Sequence, residues 1–243
     1  MRSAGGSAIA NHDIEQGNQP YTEFENDSIR RKFIQKVYLI LTAQIIATMG
    51  LVWALISWDI FYEFIQEHPV ALYVALVIIL VLAIFMSLCN AYRRISPYNY
   101  ICLILFTLAQ TFLVAVICCR FDTKVILMAG GLTALISISL SLYAMQTKCD
   151  YTAIGGVLLI SIIVLMVLGL LLLFFRTHVM MLIYCSLGVF LYSIFIIYNT
   201  QLMMGGKHAY EISPEDYVFA ALNLYIDIVQ IFLFLLHLLG SDN

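Results

Sequence analysis

Among the residues able to do chemistry, Asp227 stands apart. It lies in ALNLYIDIVQIFLFLL, Ala221 to Leu236, between Ile226 and Ile228 in an otherwise apolar run. If the run is helical, Asn223 falls four residues before it and Gln230 three after, so the three share one polar stripe. A carboxylate between two amides can hold water, a proton or a cation. It is not a hydrolytic set, because no second acid lies within an apolar run to form an aspartyl pair. Nucleophile-elbow, phosphate-loop and HExxH spacings are absent too, and no enzyme activity is expected. His68, His178 and His237 lack metal-ligand spacing, so neither a metal site nor a bound cofactor is expected. The 6 cysteines include no CxxC pair, and Cys89, Cys102, Cys118 and Cys185 fall in or at the ends of apolar runs, where cysteine packs as a small hydrophobe.

The surroundings decide what that carboxylate costs. Of 243 residues, 63% are hydrophobic and 11% charged, against about 25% charged in soluble domains. The charges separate apolar runs of about 20 residues, the length that crosses hydrocarbon as a helix. Seven spans are expected: Val37 to Trp58, Val70 to Cys89, Tyr98 to Cys119, Val125 to Met145, Ala153 to Phe175, Val179 to Tyr198 and Tyr217 to Leu239. The sixth has room to continue through Asn199 to Met204, where Gly205 and Gly206 stop it. Runs such as VLLISIIVLMVLGLLLLFF are apolar on every face, which excludes the alternating pattern of a membrane barrel. The fold class is an all-α, seven-transmembrane helix bundle, with the lipid bilayer as a partner and no nucleic-acid partner.

The Lys and Arg distribution sets orientation. With seven spans, Arg30, Arg31, Lys32, Lys36, Arg93, Arg94, Lys148 and Lys207 share the N-terminal side, against Arg120, Lys124 and Arg176 opposite. The N-terminus is therefore expected in the cytosol and the C-terminus outside or in a lumen; six spans would return the C-terminus to the cytosol. Residues 1–32 lack the apolar core of a signal peptide and read as a polar, disordered cytosolic tail. Residues 33–239 form the membrane domain and 240–243 a short tail. Asn26-Asp27-Ser28 matches a glycosylation pattern that a cytosolic tail leaves unused.

An ionised Asp at a helix centre costs about 2.5–3.5 kcal/mol on insertion scales. Asp227 lies about 15 Å along its span, so it is expected to face the bundle interior and mark an ion or proton path. The helix start is strongly specified: Ser213 suits the N-cap, Pro214 the first helical position, and Asp216 follows three after the cap as in a capping box.

Together RRKFIQKVYLILTAQI, QTKCDYT, IIYNTQLMMGG and YEISPEDYVFAALNLYIDIVQIFLFLL closely resemble the transmembrane Bax inhibitor motif family, and its Lifeguard branch in particular. The resemblance runs from about residue 30 to the C-terminus. It implies a seven-helix bundle with the last helix central and a cytosolic N-terminus. It also implies a pH-sensitive calcium leak across the endoplasmic reticulum, Golgi or plasma membrane, with calcium as the permeant ion, and protection against apoptosis. Apoptosis-related or calcium-handling membrane proteins are the implied partners. In that family the pH sensor is a pair of aspartates, in Tyr-Asp and Leu-Tyr-x-Asp motifs. The second matches Asp227 in LYID; the first falls on Asn199 in YNTQ, a departure from the pattern. A basic residue that pairs with the acidic site falls on Arg93, or on Arg94, in NAYRRISPYNY; both also serve as ordinary topology residues.

Two neighbouring carboxylates in a low-dielectric site share a proton and titrate as a pair. Asparagine donates a hydrogen bond at every pH and has no proton to lose near neutrality. An Asn199 to Asp227 contact is therefore expected to act as a permanently protonated latch, with the pH response blunted or displaced to lower pH. The rival reading is a regulator that binds partners and conducts little.

Overall fold

The chain buries apolar side chains in helices and in nothing else among its described residues. A computed structural model describes residues 19–68, 70–88, 97–175, 177–205, 210 and 212–241. Its helices are α1 (Gln19–Ile56), α2 (Asp59–Glu67), α3 (Val70–Leu88), α4 (Tyr98–Cys118), α5 (Thr123–Gln146), α6 (Gly155–Phe174), α7 (His178–Met204) and α8 (Tyr217–Gly240), with 3₁₀ turns at Thr152–Ile154 and Pro214–Asp216. Six helices are each long and apolar enough to cross a membrane. The count reaches seven if α2 and α3, which are bent by 89° at their junction and pass the same test together, are taken as one broken span, and stays at six if they form a re-entrant loop. The choice between six and seven turns on this pair, since the helix of Asp227 qualifies as a span alone.

α1 begins well before the expected Val37. Residues 19–32, expected to continue a disordered tail, are helical. Glu23, Glu25, Arg30, Arg31 and Lys32 are strong helix formers, and a helix already nucleated by the span propagates through them. One stripe of α1 at helical spacing, Phe33, Val37, Leu41, Gln44, Thr48 and Val52, is buried.

α8 is the central helix. It packs on α1, α4, α5 and α7, most extensively on α7, whereas α6 packs mainly on α7. In the most apolar stretch of α8, 67% of residues are buried, against 11% for α6. The large exposed side chains of α3, α5 and α6, such as Val77, Leu135 and Ile160, form the apolar outer surface that a bilayer covers. α7 continues to Met204 and ends at Gly205, whose φ of 55° is a conformation L side chains rarely adopt.

The close packing of α7 on α8 depends on Gly188. A Cβ there would sit 2.6 Å from the Phe234 ring. That ring is held edge-on by Tyr184 at a centroid distance of 5.4 Å and lies 5.9 Å from Tyr192. Small residues at such crossings let two backbones approach closely.

Candidate functional site

Two helices build the site. Asn199 lies on the last turns of α7 and Asp227 midway along α8, and the Asn199 Nδ2 donates to Asp227 Oδ2 at 2.7 Å. Both side chains are buried, at 6% and 4% exposure. The bond works with an ionised or a protonated carboxyl, because either form keeps an acceptor oxygen. Asp227 is the one acidic residue buried between the ends of a spanning helix among the described residues.

Asn223 and Gln230, expected on the same stripe, are half-buried, so only Asp227 of the three is fully interior. Arg93, with Arg94, lies outside the described residues. At the head of α8, Ser213 Oγ accepts from the Glu215 amide at 3.4 Å, and Pro214 opens a single 3₁₀ turn closed by Asp216 N donating to Ser213 O at 2.9 Å. Asp216 therefore precedes α8 as its N-cap residue and makes no side-chain cap bond, which departs from the expected box. The tighter turn brings the Glu215 amide, not that of Asp216, to the serine hydroxyl.

Two polar groups escaped the sequence reading. Gln201, fully buried two residues after Asn199, clamps the loop between α5 and α6: its Oε1 accepts from Tyr151 N at 2.7 Å and its Nε2 donates to Cys149 O at 2.9 Å. The second group joins α1, α4 and α8. Thr48 Oγ1 bonds the Tyr225 hydroxyl at 2.8 Å, Thr111 Oγ1 lies 3.2 Å from Thr48 Oγ1, and Gln44 Nε2 donates to Thr107 Oγ1 at 2.9 Å. The signal was present in LTAQIIAT and FTLAQT, where Gln44 and Thr48, and Thr107 and Thr111, recur four residues apart.

Basic residues tie down the end of the bundle where α1 meets α7. Arg30 Nη1 donates to Ile212 O at 2.8 Å and Met203 O at 3.3 Å, placing a cation at the negative end of α7. Lys36 Nζ stands 3.4 Å from the centroid of the Tyr217 ring. Among the described residues no three His, Cys, Asp or Glu side chains gather as metal ligands.

A polytopic helical membrane protein with a carboxylate held by an amide at its central helix is the class these features define. A family model described as inhibitor of apoptosis-promoting Bax1 matches residues 30–243. The chain is similar to protein lifeguard 3 of Mus musculus, 34% identical over 223 residues that cover 90% of this chain and 72% of the relative. Protein lifeguard 3 of Homo sapiens is 33% identical over 225 residues, covering 91% and 72%. Protein lifeguard 4 of Mus musculus is 34% identical over 215 residues, covering 88% and 87%. The chain belongs to the Bax inhibitor motif family, within its lifeguard group.

Proposed function

We propose that this protein is a calcium-permeable leak pathway of an intracellular or plasma membrane, organised around Asp227, and that it bears on apoptosis through calcium homeostasis. The observation that carries the reading is the buried Asn199–Asp227 hydrogen bond between α7 and the central α8. A carboxylate kept inside a spanning helix is costly and ordinarily faces an ion or proton path. The family's description as inhibitors of apoptosis-promoting Bax1 supports the apoptotic half of the proposal. The N-terminus lies in the cytosol in this reading, on the strength of the Lys and Arg distribution.

Asn199 changes the chemistry of the latch. Its amide donates at every pH, so α7 and α8 stay joined whether or not the carboxyl is ionised. A blunted pH response follows. The same asparagine favours a second reading, a non-conducting regulator acting through apoptosis-related or calcium-handling partners, since one acid of the usual pair is gone. Calcium flux into liposomes carrying the purified protein separates them. Flux above protein-free liposomes that Asp227→Asn abolishes or distorts supports the leak; no added permeability leaves the regulator.

A further inference from the structure

α1 ends at Ile56, α2 occupies Asp59–Glu67 and α3 begins at Val70. α3 has 19 residues, none of them Asp, Glu, Lys or Arg. At 1.5 Å per residue it is about 28 Å long, enough to cross hydrocarbon about 30 Å thick. It needs no length from α2.

α2 meets α3 at 89°. Spanning helices tilt by about 20° on average, so a helix perpendicular to α3 lies close to the membrane plane, at the level where α1 leaves the bilayer and α3 enters it. Its side chains fit that level. Ile60, Phe61, Phe64 and Ile65 cover one side of α2, about 140° wide at about 100° per residue. Asp59, Glu63 and Glu67, spaced four apart, line the other. Only half of the apolar side meets protein: Phe61 and Ile65 are buried, with Phe61 edge-on to Phe112 of α4 at 5.9 Å, while Ile60 and Phe64 are exposed. Trp58, Tyr62 and Tyr73 are exposed at the same end, and such rings gather at headgroup level.

We propose that α2 is an interfacial helix, seated in the non-cytosolic leaflet with Ile60 and Phe64 at the boundary of headgroups and acyl chains and with Asp59, Glu63 and Glu67 in water. The occupant of the exposed apolar flank is lipid, because that flank is followed directly by Val70, Tyr73 and Val74, exposed in the first turns of α3 and part of the outer surface a bilayer covers. The charge agrees with the leaflet. Ser57 to Pro69 contains three acids and no Lys or Arg, which the anionic cytoplasmic leaflet would repel. The same three carboxylates are costly in hydrocarbon, so α2 does not extend the span. α3 then crosses by itself, and the two termini lie on opposite sides. The leaflet follows from the orientation proposed above, whereas the depth of α2 depends neither on it nor on calcium conduction.

Depth-dependent tryptophan quenching in lipid nanodiscs tests this. Phe64→Trp and Glu63→Trp are each introduced into full-length Trp53→Phe/Trp58→Phe, at neighbouring positions on the apolar and polar sides of α2. A nitroxide placed near the headgroup end of the acyl chain is expected to quench Phe64→Trp several-fold more than one near the chain terminus, and acrylamide in the buffer to quench Glu63→Trp several-fold more than Phe64→Trp. Equal quenching of both by acrylamide, with little from either lipid, puts α2 in water and overturns the proposal. Stronger quenching of both from the chain terminus puts α2 within the span and overturns it too. If the background variant does not fold, the natural protein is irradiated with a phospholipid bearing a photoactivatable group near its headgroup; crosslinks mapped to residues 59–67 support the seat, and their absence there overturns it.

Discussion

Replacing Asn199 by leucine removes the one donor seen on Asp227 Oδ2 and leaves a carboxyl stranded inside the bundle. Replacing Asp227 by leucine strands the amide instead. Each single change costs about 1–3 kcal/mol for the orphaned group. At about 2–4 °C per kcal/mol for a chain of this size, that is a fall of about 2–12 °C in melting temperature. The double variant puts two apolar side chains of similar size where the pair stood, and such a swap is close to neutral. Its melting temperature is therefore expected to recover most of the loss. The coupling energy of the cycle also reports the carboxyl's state. Neutral interhelical hydrogen bonds in membranes average about 0.6 kcal/mol, whereas bonds to a charged group reach about 1.5–3 kcal/mol. Thermal unfolding of the four proteins in one detergent, at one scan rate, followed by fluorescence of Trp53 and Trp58, measures it. If the double variant loses the sum of the two singles, the side chains are not coupled and the latch is refuted.

Gly188→Ala places a methyl 2.6 Å from the Phe234 ring, which Tyr184 and Tyr192 hem in. A destabilisation of about 1–3 kcal/mol is expected, seen as a lower melting temperature that Phe234→Leu partly restores in the same chain. Gln201→Leu deprives the Tyr151 amide and the Cys149 carbonyl of their partner; faster hydrogen exchange over residues 147–151, with α8 unaffected, is expected. Arg30→Ala releases the Ile212 and Met203 carbonyls. Limited proteolysis should then cut the segment between α7 and α8 sooner, and an unchanged cleavage rate would show that the arginine does not hold it.

The spans were legible because length and apolarity are local properties. Val70, Tyr98 and Tyr217 open helices as read, and Gly205 closes α7 because its backbone takes a positive φ. The start of α1 was not legible: a charged stretch such as FENDSIRRK reads as solvated tail, yet the same residues extend a helix once the span supplies its nucleus. Asp227 announced itself through its cost in hydrocarbon. Gln44, Thr107 and Gln201 did not, since a lone amide or hydroxyl in an apolar run reads as incidental. Its meaning depends on a partner 50 to 63 positions away that only packing brings near. Asp216 shows the converse, a local motif that the sequence spelled and the tighter 3₁₀ turn re-formed around Glu215.

The most direct test of the altered latch is the pH profile of calcium flux through the purified protein in liposomes, from about pH 5 to pH 8, for the natural sequence and for Asn199→Asp. The expected result is a natural leak that varies weakly across the range, and a steeper dependence once the second carboxylate is restored and the two titrate as a pair. A sharp neutral-range transition in the natural protein, unchanged by Asn199→Asp, would contradict it.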